Sequence, residues 1–384
     1  MRLLHTSDWH LGRSLHREDL LPAQRAFLDH LVDTARAERV DAVLVAGDVY
    51  DRAVPGLGAV ELFDHALHRL AELAVPVVLI SGNHDSARRL GIAARLIERA
   101  GVHLRTETAR CQEPVLLADA HGPVAVYGVP YLEPALAAAE LGAERAGHPA
   151  VLGAALDRIR ADLATRPPGT RSVVLAHAFV VGGQTSDSER DIAVGGVPSV
   201  PASVFDGVHY AALGHLHGCQ TISERLRYSG SPLAYSFSEA EHRKTMWLVD
   251  LGPAGEIDAR RIDCPVPRPL HRLRGTLAGV LADPSLHRYE QHWLQVTLTD
   301  PVRPERAMEQ LRARFPHTLQ LAFEPERRPD DGLPSYSART RGRDDTQVAL
   351  GFVRHVRGSE PDPAERALLG EATRAVGAAA GGEL

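Results

Sequence analysis

Ala42-Val43-Leu44-Val45-Ala46-Gly47-Asp48-Val49-Tyr50-Asp51 is an apolar run that stops abruptly at a glycine and two carboxylates. An apolar stretch of this length, bounded by glycine, reads as a strand buried on both faces, as strands in parallel sheets are. Its polar end then lies at the carboxyl edge of the sheet, where open α/β sheets keep their sites. Four other runs close the same way: Leu3-Leu4-His5-Thr6-Ser7-Asp8-Trp9-His10, Val77 to His84, Val173 to His177 and Tyr210 to His217.

Between these runs the period changes from strand to helix. Pro22 to Arg39 and Leu57 to Leu73 repeat apolar residues at helical spacing, giving βαβ crossovers, and a further helix is expected around Arg88 to Ala100 with Gly101 as its C′ residue. Strands at Val115 to Leu117 and Val124 to Val129 and a helix near Ala150 to Thr165 follow. Gly182 to Pro201 is polar and glycine-rich and reads as a long functional loop. Arg227 to Ser229 and Thr245 to Leu251 read as antiparallel strands completing a second sheet. Pro265-Val266-Pro267-Arg268-Pro269 is a stiff connector, so the first domain is placed at 1–264. A strand at Trp293 to Leu298 and a helix from Pro304 to Phe315 make 265–324 a small α+β domain, 325–343 a linker, and 344–384 a helical pair with Asp362-Pro363 as cap and first helical residue.

At 384 residues the chain exceeds what one core usually supports, so several domains are expected. A net charge of -6 gives no global nucleic-acid signature, so any basic stripe is local. Three scattered cysteines without metal spacing fit a reducing compartment. No secretory segment follows Met1-Arg2 and no apolar run approaches the ~20 residues of a membrane span, so a cytoplasmic protein is expected. Lys244 is the single lysine beside 42 arginines, which reads as codon bias.

The strand ends collect Asp8, His10, Asp48, Asn83, His84, His177, His215 and His217 along one edge. All are acceptors able to hold a divalent cation. So many converging groups suggest two ions, and a carboxylate is the natural bridge between ions ~3.5–4 Å apart. Asp48, on the central strand, is the candidate bridge. The pairs Asp8-x-His10 and His215-x-His217 face the same site only if the strand breaks into a loop there. Each motif alone is weak, since Gly47-Asp48-x-x-Asp51 also fits a turn and Gly82-Asn83-His84-Asp85 also fits a helix cap. Their joint order is the strong signal.

Asp8-x-His10, Gly47-Asp48-x-x-Asp51, Gly82-Asn83-His84-Asp85, His177 and Gly214-His215-x-His217 resemble the motif set of the calcineurin-like metallophosphoesterases. More narrowly, His5-Thr6-Ser7-Asp8-Trp9-His10-Leu11-Gly12 and Ser188-x-Arg190-Asp191-Ile192 resemble the SbcD family, the nuclease subunits of bacterial SbcCD complexes. The resemblance implies an α/β fold, a four-layer sandwich of two mixed β-sheets flanked by helices, with a small α+β cap and a C-terminal helical pair. It implies one ion on Asp8, His10, Asp48 and His217 and another on Asp48, Asn83, His177 and His215. His84 would protonate the leaving oxygen, with Asp51 orienting its ring. The imidazole-rich shell suits two Mn2+ better than Mg2+, although iron or zinc would fit the same donors. The implied activity is hydrolysis of DNA, as exonuclease on double-stranded ends and endonuclease on hairpins and single strands. The implied assembly is a homodimer within a heterotetramer, with residues 265–324 contacting DNA and 344–384 docking on the SbcC ATPase.

Two other functions stay open at this stage: a phosphodiesterase for a small-molecule or phosphoprotein substrate, against which the long extension after Asp263 argues, and a DNA-end tether whose catalysis is incidental. Cys219 reads as a small buried thiol, His5 as a core or supporting residue, and Trp9 as packing or base-stacking. The arginines of 325–343 are nearly balanced by acids, so that stretch reads as a solvated linker.

Overall fold

The computed structural model describes residues 1–189, 199–326 and 342–380. Its chain divides into two compact units, Met1–Pro325 and Glu326–Leu384. In the first unit two six-stranded sheets lie face to face. One orders its strands Ile257–Asp263, Thr245–Leu251, Arg2–Thr6, Ala42–Ala46, Val77–Ile80 and Val102–Arg105. The other runs Gln220–Thr221, Leu226–Tyr228, Tyr210–Gly214, Arg171–His177, Gly122–Val129 and Val115–Asp119.

Every residue of Ala42–Ala46 is buried, which is why the run shows no alternation. Leu44, with Leu3, Val78 and Ile80, meets Val126, Val173, Leu175 and Tyr210 of the opposite sheet. Val43 and Val45 turn outward, onto Phe27, Leu28 and Leu31 of the helix Leu21–Ala37 and Phe63 and Leu70 of the helix Leu57–Glu72. On the far side, Tyr127, Val174 and Leu213 pack beneath the helices Pro134–Leu141 and His148–Ala164. The order is helix, sheet, sheet, helix, as the family resemblance implies. Because the motif-bearing strands within each sheet are parallel, their carboxyl ends share one edge.

Three local expectations are corrected. Thr245–Leu251 pairs antiparallel with Arg2–Thr6 and so completes the first sheet, while Leu226–Tyr228 pairs parallel with Tyr210–Gly214 in the second. The helix expected from Arg88 to Ala100 is broken into Ala87–Leu90, Ala94–Ile97 and a 3-10 turn at Glu98–Ala100. Ala93 there has φ 59°, a left-handed residue that interrupts the helical bonding, and Gly91 lies so close to Thr106 that no side chain fits. The helix expected from Pro304 begins at Ala307, after the left-handed Arg306.

Beyond the Pro-rich connector, Leu270–Gly275, Trp293–Leu298 and Thr318–Phe323 form a parallel three-stranded sheet backed by Leu277–Ala282 and Ala307–Arg314. Leu270, Trp293 and Leu319 fasten it to Leu15, Leu20, Tyr235 and Phe237. In the second unit Asp344 caps Asp345–Arg357 by accepting from the Gln347 amide at 2.7 Å. Asp362 and Glu365 form a reciprocal box at the start of Pro363–Ala380, each accepting from the other's amide at 2.8 Å. Most of the stretch expected as linker, 327–341, and positions 190–198 of the long loop lie outside the described residues. No helix among the described residues is long and apolar enough to cross a membrane.

The sheets approach tightly where Gly214 faces Ala46, and a Cβ on Gly214 would overlap the Ala46 carbonyl oxygen. Gly214→Ala therefore forces the sheets apart and should cost about 1–3 kcal/mol. Urea unfolding of the metal-free protein checks this, and an unchanged midpoint would show that the approach is not a constraint.

Candidate metal centre

The strands end and the backbone turns sharply. Asp8 (φ 52°), His10 (φ 44°), Asp48 (φ 49°) and His215 (φ 103°) all have positive φ, a conformation that side-chain-bearing residues rarely adopt. This is how Asp8 and His10, two apart, both face the site. The loops after the first two strands run side by side, with the amides of Asp8, His10 and Leu11 donating to the carbonyls of Gly47, Asp48 and Val49 at 3.0, 3.0 and 2.9 Å. Asp85 ties this pair to the third loop, its carboxylate accepting from the amides of Val49, Tyr50 and Gly82 at 3.0, 2.9 and 2.9 Å. From the second sheet His177 arrives as the last residue of its strand, while His215 and His217 follow Gly214.

All the sequence-selected donors except the half-exposed Asn83 are buried. Asp48 Oδ1 accepts from the His84 amide at 2.8 Å. Its Oδ2 lies 3.6 Å from His10 Nε2 and 3.6 Å from His177 Nε2, so one carboxylate oxygen stands between the two halves of the cluster. His10 Nε2 and His217 Nε2 face each other at 3.0 Å, and His177 Nε2 is 2.9 Å from Asn83 Oδ1. Asp8 accepts from the Ser7 hydroxyl at 2.6 Å and the His215 amide at 3.0 Å. Among the described residues three donor sets could each share an ion: Asp8, His10 and His217; His10, Asp48 and His84; and Asp8, Asp48 and His177. His215 lies in none of them, though its ring is 5.4 Å from that of His177.

The imidazoles are held from behind. His177 Nδ1–H donates to the Ala46 carbonyl at 2.9 Å and His84 Nδ1–H to the Asp51 carbonyl at 2.8 Å, which leaves each Nε2 facing the site. Thus Asp51 orients His84 through its main chain. The Asp51 carboxylate instead lies 3.8 Å from His10 Nδ1 and 3.7 Å from Arg13 Nε.

The electrostatics fit a cation. Burial, and next the Asp48 carboxylate, push the Asp8 carboxyl well above its ordinary range. The same causes in the same order push Asp85 up to about 7. Burial and then the neighbouring imidazoles hold His10 and His215 well below theirs, as bare nitrogen ligands need. Among the described residues His10 Nδ1 has no hydrogen-bond partner. Buried carboxylates and lone pairs converging with few protons between them are what divalent ions neutralise.

Several contributors escaped the motif reading. Arg13 and Arg52 stand beside His84, Asp51, Ser14 and Ser188 around an open cavity of about 510 Å³. On the Asn83 side a second depression of about 670 Å³ passes Arg88 and Tyr131. Ser188 and Glu189 of the long loop reach His217, the Ser188 hydroxyl at 2.7 Å from Nδ1 and Glu189 accepting from the His217 amide at 2.7 Å. Trp9 is packing, its indole N–H donating to Thr6 Oγ1 at 3.0 Å and its ring edge-on to Phe27 and Phe63. His5 belongs to the core, paired with the Tyr210 hydroxyl at 2.9 Å and pushed down to about 3 by burial. Cys219 is half-buried against the inter-sheet core, outside the donor sets.

Residues 1–219 match the family model of calcineurin-like phosphoesterases. That is more than half of the chain, and the chain belongs to this family. It is thus a hydrolase of phosphoester bonds, with an Asp/His cluster suited to two metal ions. Residues 266–357 match the SbcD_C model, described as the type 5 capsule protein repressor C-terminal domain. Among solved structures, the protein TT1561 of Thermus thermophilus is 14% identical over 68% of this chain and 98% of its own, with a TM-score of 0.37. An archaeal phosphodiesterase is 12% identical over 68% and 100%, with a TM-score of 0.31.

If Asp48 bridges, Asp48→Ala should abolish binding of both manganese equivalents, whereas His177→Ala should mainly weaken one. Titration calorimetry separates these outcomes, and one ion retained at full affinity in Asp48→Ala would exclude the bridge.

Proposed function

We propose that the chain is a manganese-dependent DNA nuclease of the SbcD type, cutting double-stranded ends as an exonuclease and hairpins or single strands as an endonuclease, in repair and recombination. The observation that carries this reading is the joint occurrence of the phosphoesterase cluster and the SbcD_C match at residues 266–357. In this reading 1–264 is the nuclease domain, 265–324 a DNA-contacting cap, 325–343 a linker and 344–384 a docking element for an SbcC ATPase. The exposed Val356, Leu368 and Val376 support docking, because an amphipathic pair needs a surface to cover it. The exposed Leu57, Val60, Ile92 and Leu96 support pairing of two nuclease subunits within a heterotetramer.

Ions held by Asp8, His10, Asp48 and His217, and by Asp48, Asn83, His177 and His215, would supply Lewis-acid neutralisation of the charge developing around phosphorus. Arg13 and Arg52 would grip the non-bridging oxygens of the same phosphodiester at the cavity mouth. His84, fixed through Nδ1 to the Asp51 carbonyl, presents Nε2 to the site and would deliver a proton from there to the leaving oxygen. The openings on either side of the cluster leave room for the chain to continue in both directions from the cleaved bond.

Hydrolysis of linear duplex DNA, hairpin DNA, cyclic AMP and bis-p-nitrophenyl phosphate is compared with manganese and with magnesium, with and without the ATPase partner. Cleavage of DNA with manganese is expected. Activity on cyclic AMP with none on DNA would overturn the reading in favour of a small-molecule phosphodiesterase. His84→Ala should retain manganese and DNA binding and lose about 10²–10⁴-fold in cleavage rate. Wild-type rates in that variant would remove His84 from the chemistry.

A further inference from the structure

Arginine serves as the cation 42 times in this chain and lysine once, at Lys244. That exception is buried, with its side chain 2% exposed. Its ammonium donates to Glu239 Oε2, to Ser231 Oγ at 2.9 Å and to the His217 carbonyl at 3.1 Å. Three acceptors meet the three N–H bonds of an ammonium. A planar guanidinium with five donors would leave several unpaired in the same space.

Glu239 is fully enclosed too, and its second oxygen turns to the metal cluster. Oε1 accepts from the Ser188 hydroxyl, from His217 Nδ1–H at 3.1 Å and from the Tyr235 amide at 3.3 Å. His217 is therefore held at its carbonyl by Lys244, at its amide by Glu189 and at its ring by Glu239 and Ser188. With the proton kept on Nδ1, its Nε2 lone pair points at His10 Nε2, 3.0 Å away.

We propose that the buried Glu239–Lys244 pair is the positioning device of the metal centre, fixing the tautomer and ring orientation of His217 and fastening the Ser188 loop to the same ligand. A carboxylate behind a ligand imidazole raises its basicity and orients it. Lys244 keeps that carboxylate in place by saturating its far oxygen, while binding the ligand's own main chain. The inference deepens the reading of His217 as a ligand and rests on it.

The test uses the full chain, with Glu239→Gln and the double variant Glu239→Gln/Lys244→Met. The double variant removes both buried charges together and so protects the test against loss of fold. Thermal unfolding of the metal-free proteins should place it near the wild type, whereas Lys244→Met alone, which strands the carboxylate, should unfold earlier. In manganese calorimetry both Glu239→Gln and the double variant should lose about 10–100-fold in affinity at one of two equivalents and keep the other. In metal-free protein, imidazole nitrogen-15 shifts should report the Nδ1–H tautomer of His217 in the wild type and a mixture in Glu239→Gln. Wild-type affinity at both equivalents, or an unchanged tautomer in Glu239→Gln, overturns the proposal. A wild-type protein that binds no manganese overturns the metal centre and the proposal with it.

Discussion

Three carboxylates brought together out of water dominate this molecule. Asp8, Asp48 and Asp85 meet at the edge of the first sheet, where burial first and the Asp48 carboxylate next push Asp8 and Asp85 upward. Asp85 is supported by three amides from two loops and Asp8 by a hydroxyl and an amide. Backbone donors can place such groups but cannot balance their charge. The remaining compensation has to be cationic, and His10 and His215, held down by burial and then by neighbouring imidazoles, resist the protonation that would supply it. The arrangement is stable as a receptor for divalent ions, and the family match gives that receptor its chemistry.

The geometry is rigid for reasons that lie in the backbone. Left-handed residues at positions 8, 10, 48 and 215 each sacrifice local comfort to turn a side chain inward. They persist because loops from adjacent strands hydrogen-bond to one another and because Asp85 stitches the second loop to the third. The ring nitrogens of His177, His84 and His217 that face away from the cluster are held by two carbonyls and a carboxylate, so these rings have few alternative orientations. Preorganisation of this kind is what a site needs if charge develops quickly during reaction.

How much of this was legible follows from where each residue sits. The strands carrying Asp48 and His177 are buried on both faces, so their apolar runs are unbroken and their polar ends stand out. The strand Leu270–Gly275 buries only Leu270 and Leu273 among His271, Arg272 and Arg274, with no two-residue period, and nothing local distinguishes it from a solvated loop. Thr245–Leu251 was recognisable as a strand, but its partner Arg2–Thr6 is a choice made by tertiary packing. Ala93 turns left-handed without glycine or asparagine to announce it. Glu239 and Lys244 lie 22 and 27 residues beyond the ligand they support, on elements with no strand-end pattern, and Lys244 was visible only as a compositional oddity.

The candidate metal donors are divided between the sheets. Asp8, His10, Asp48 and Asn83 come from the first, and His177, His215 and His217 from the second. Neither half by itself brings together the donors that could hold two ions, so the cluster is a product of their docking. On a ribosome even Asn83, the last of the first-sheet group, would emerge 94 residues before His177 (177 − 83), and the full set only after His217, with Lys244 following just ahead of the strand Thr245–Leu251. A nascent or partly unfolded chain whose sheets have not docked therefore holds only part of the cluster. The sandwich thereby acts as a safety catch on the enzyme it builds.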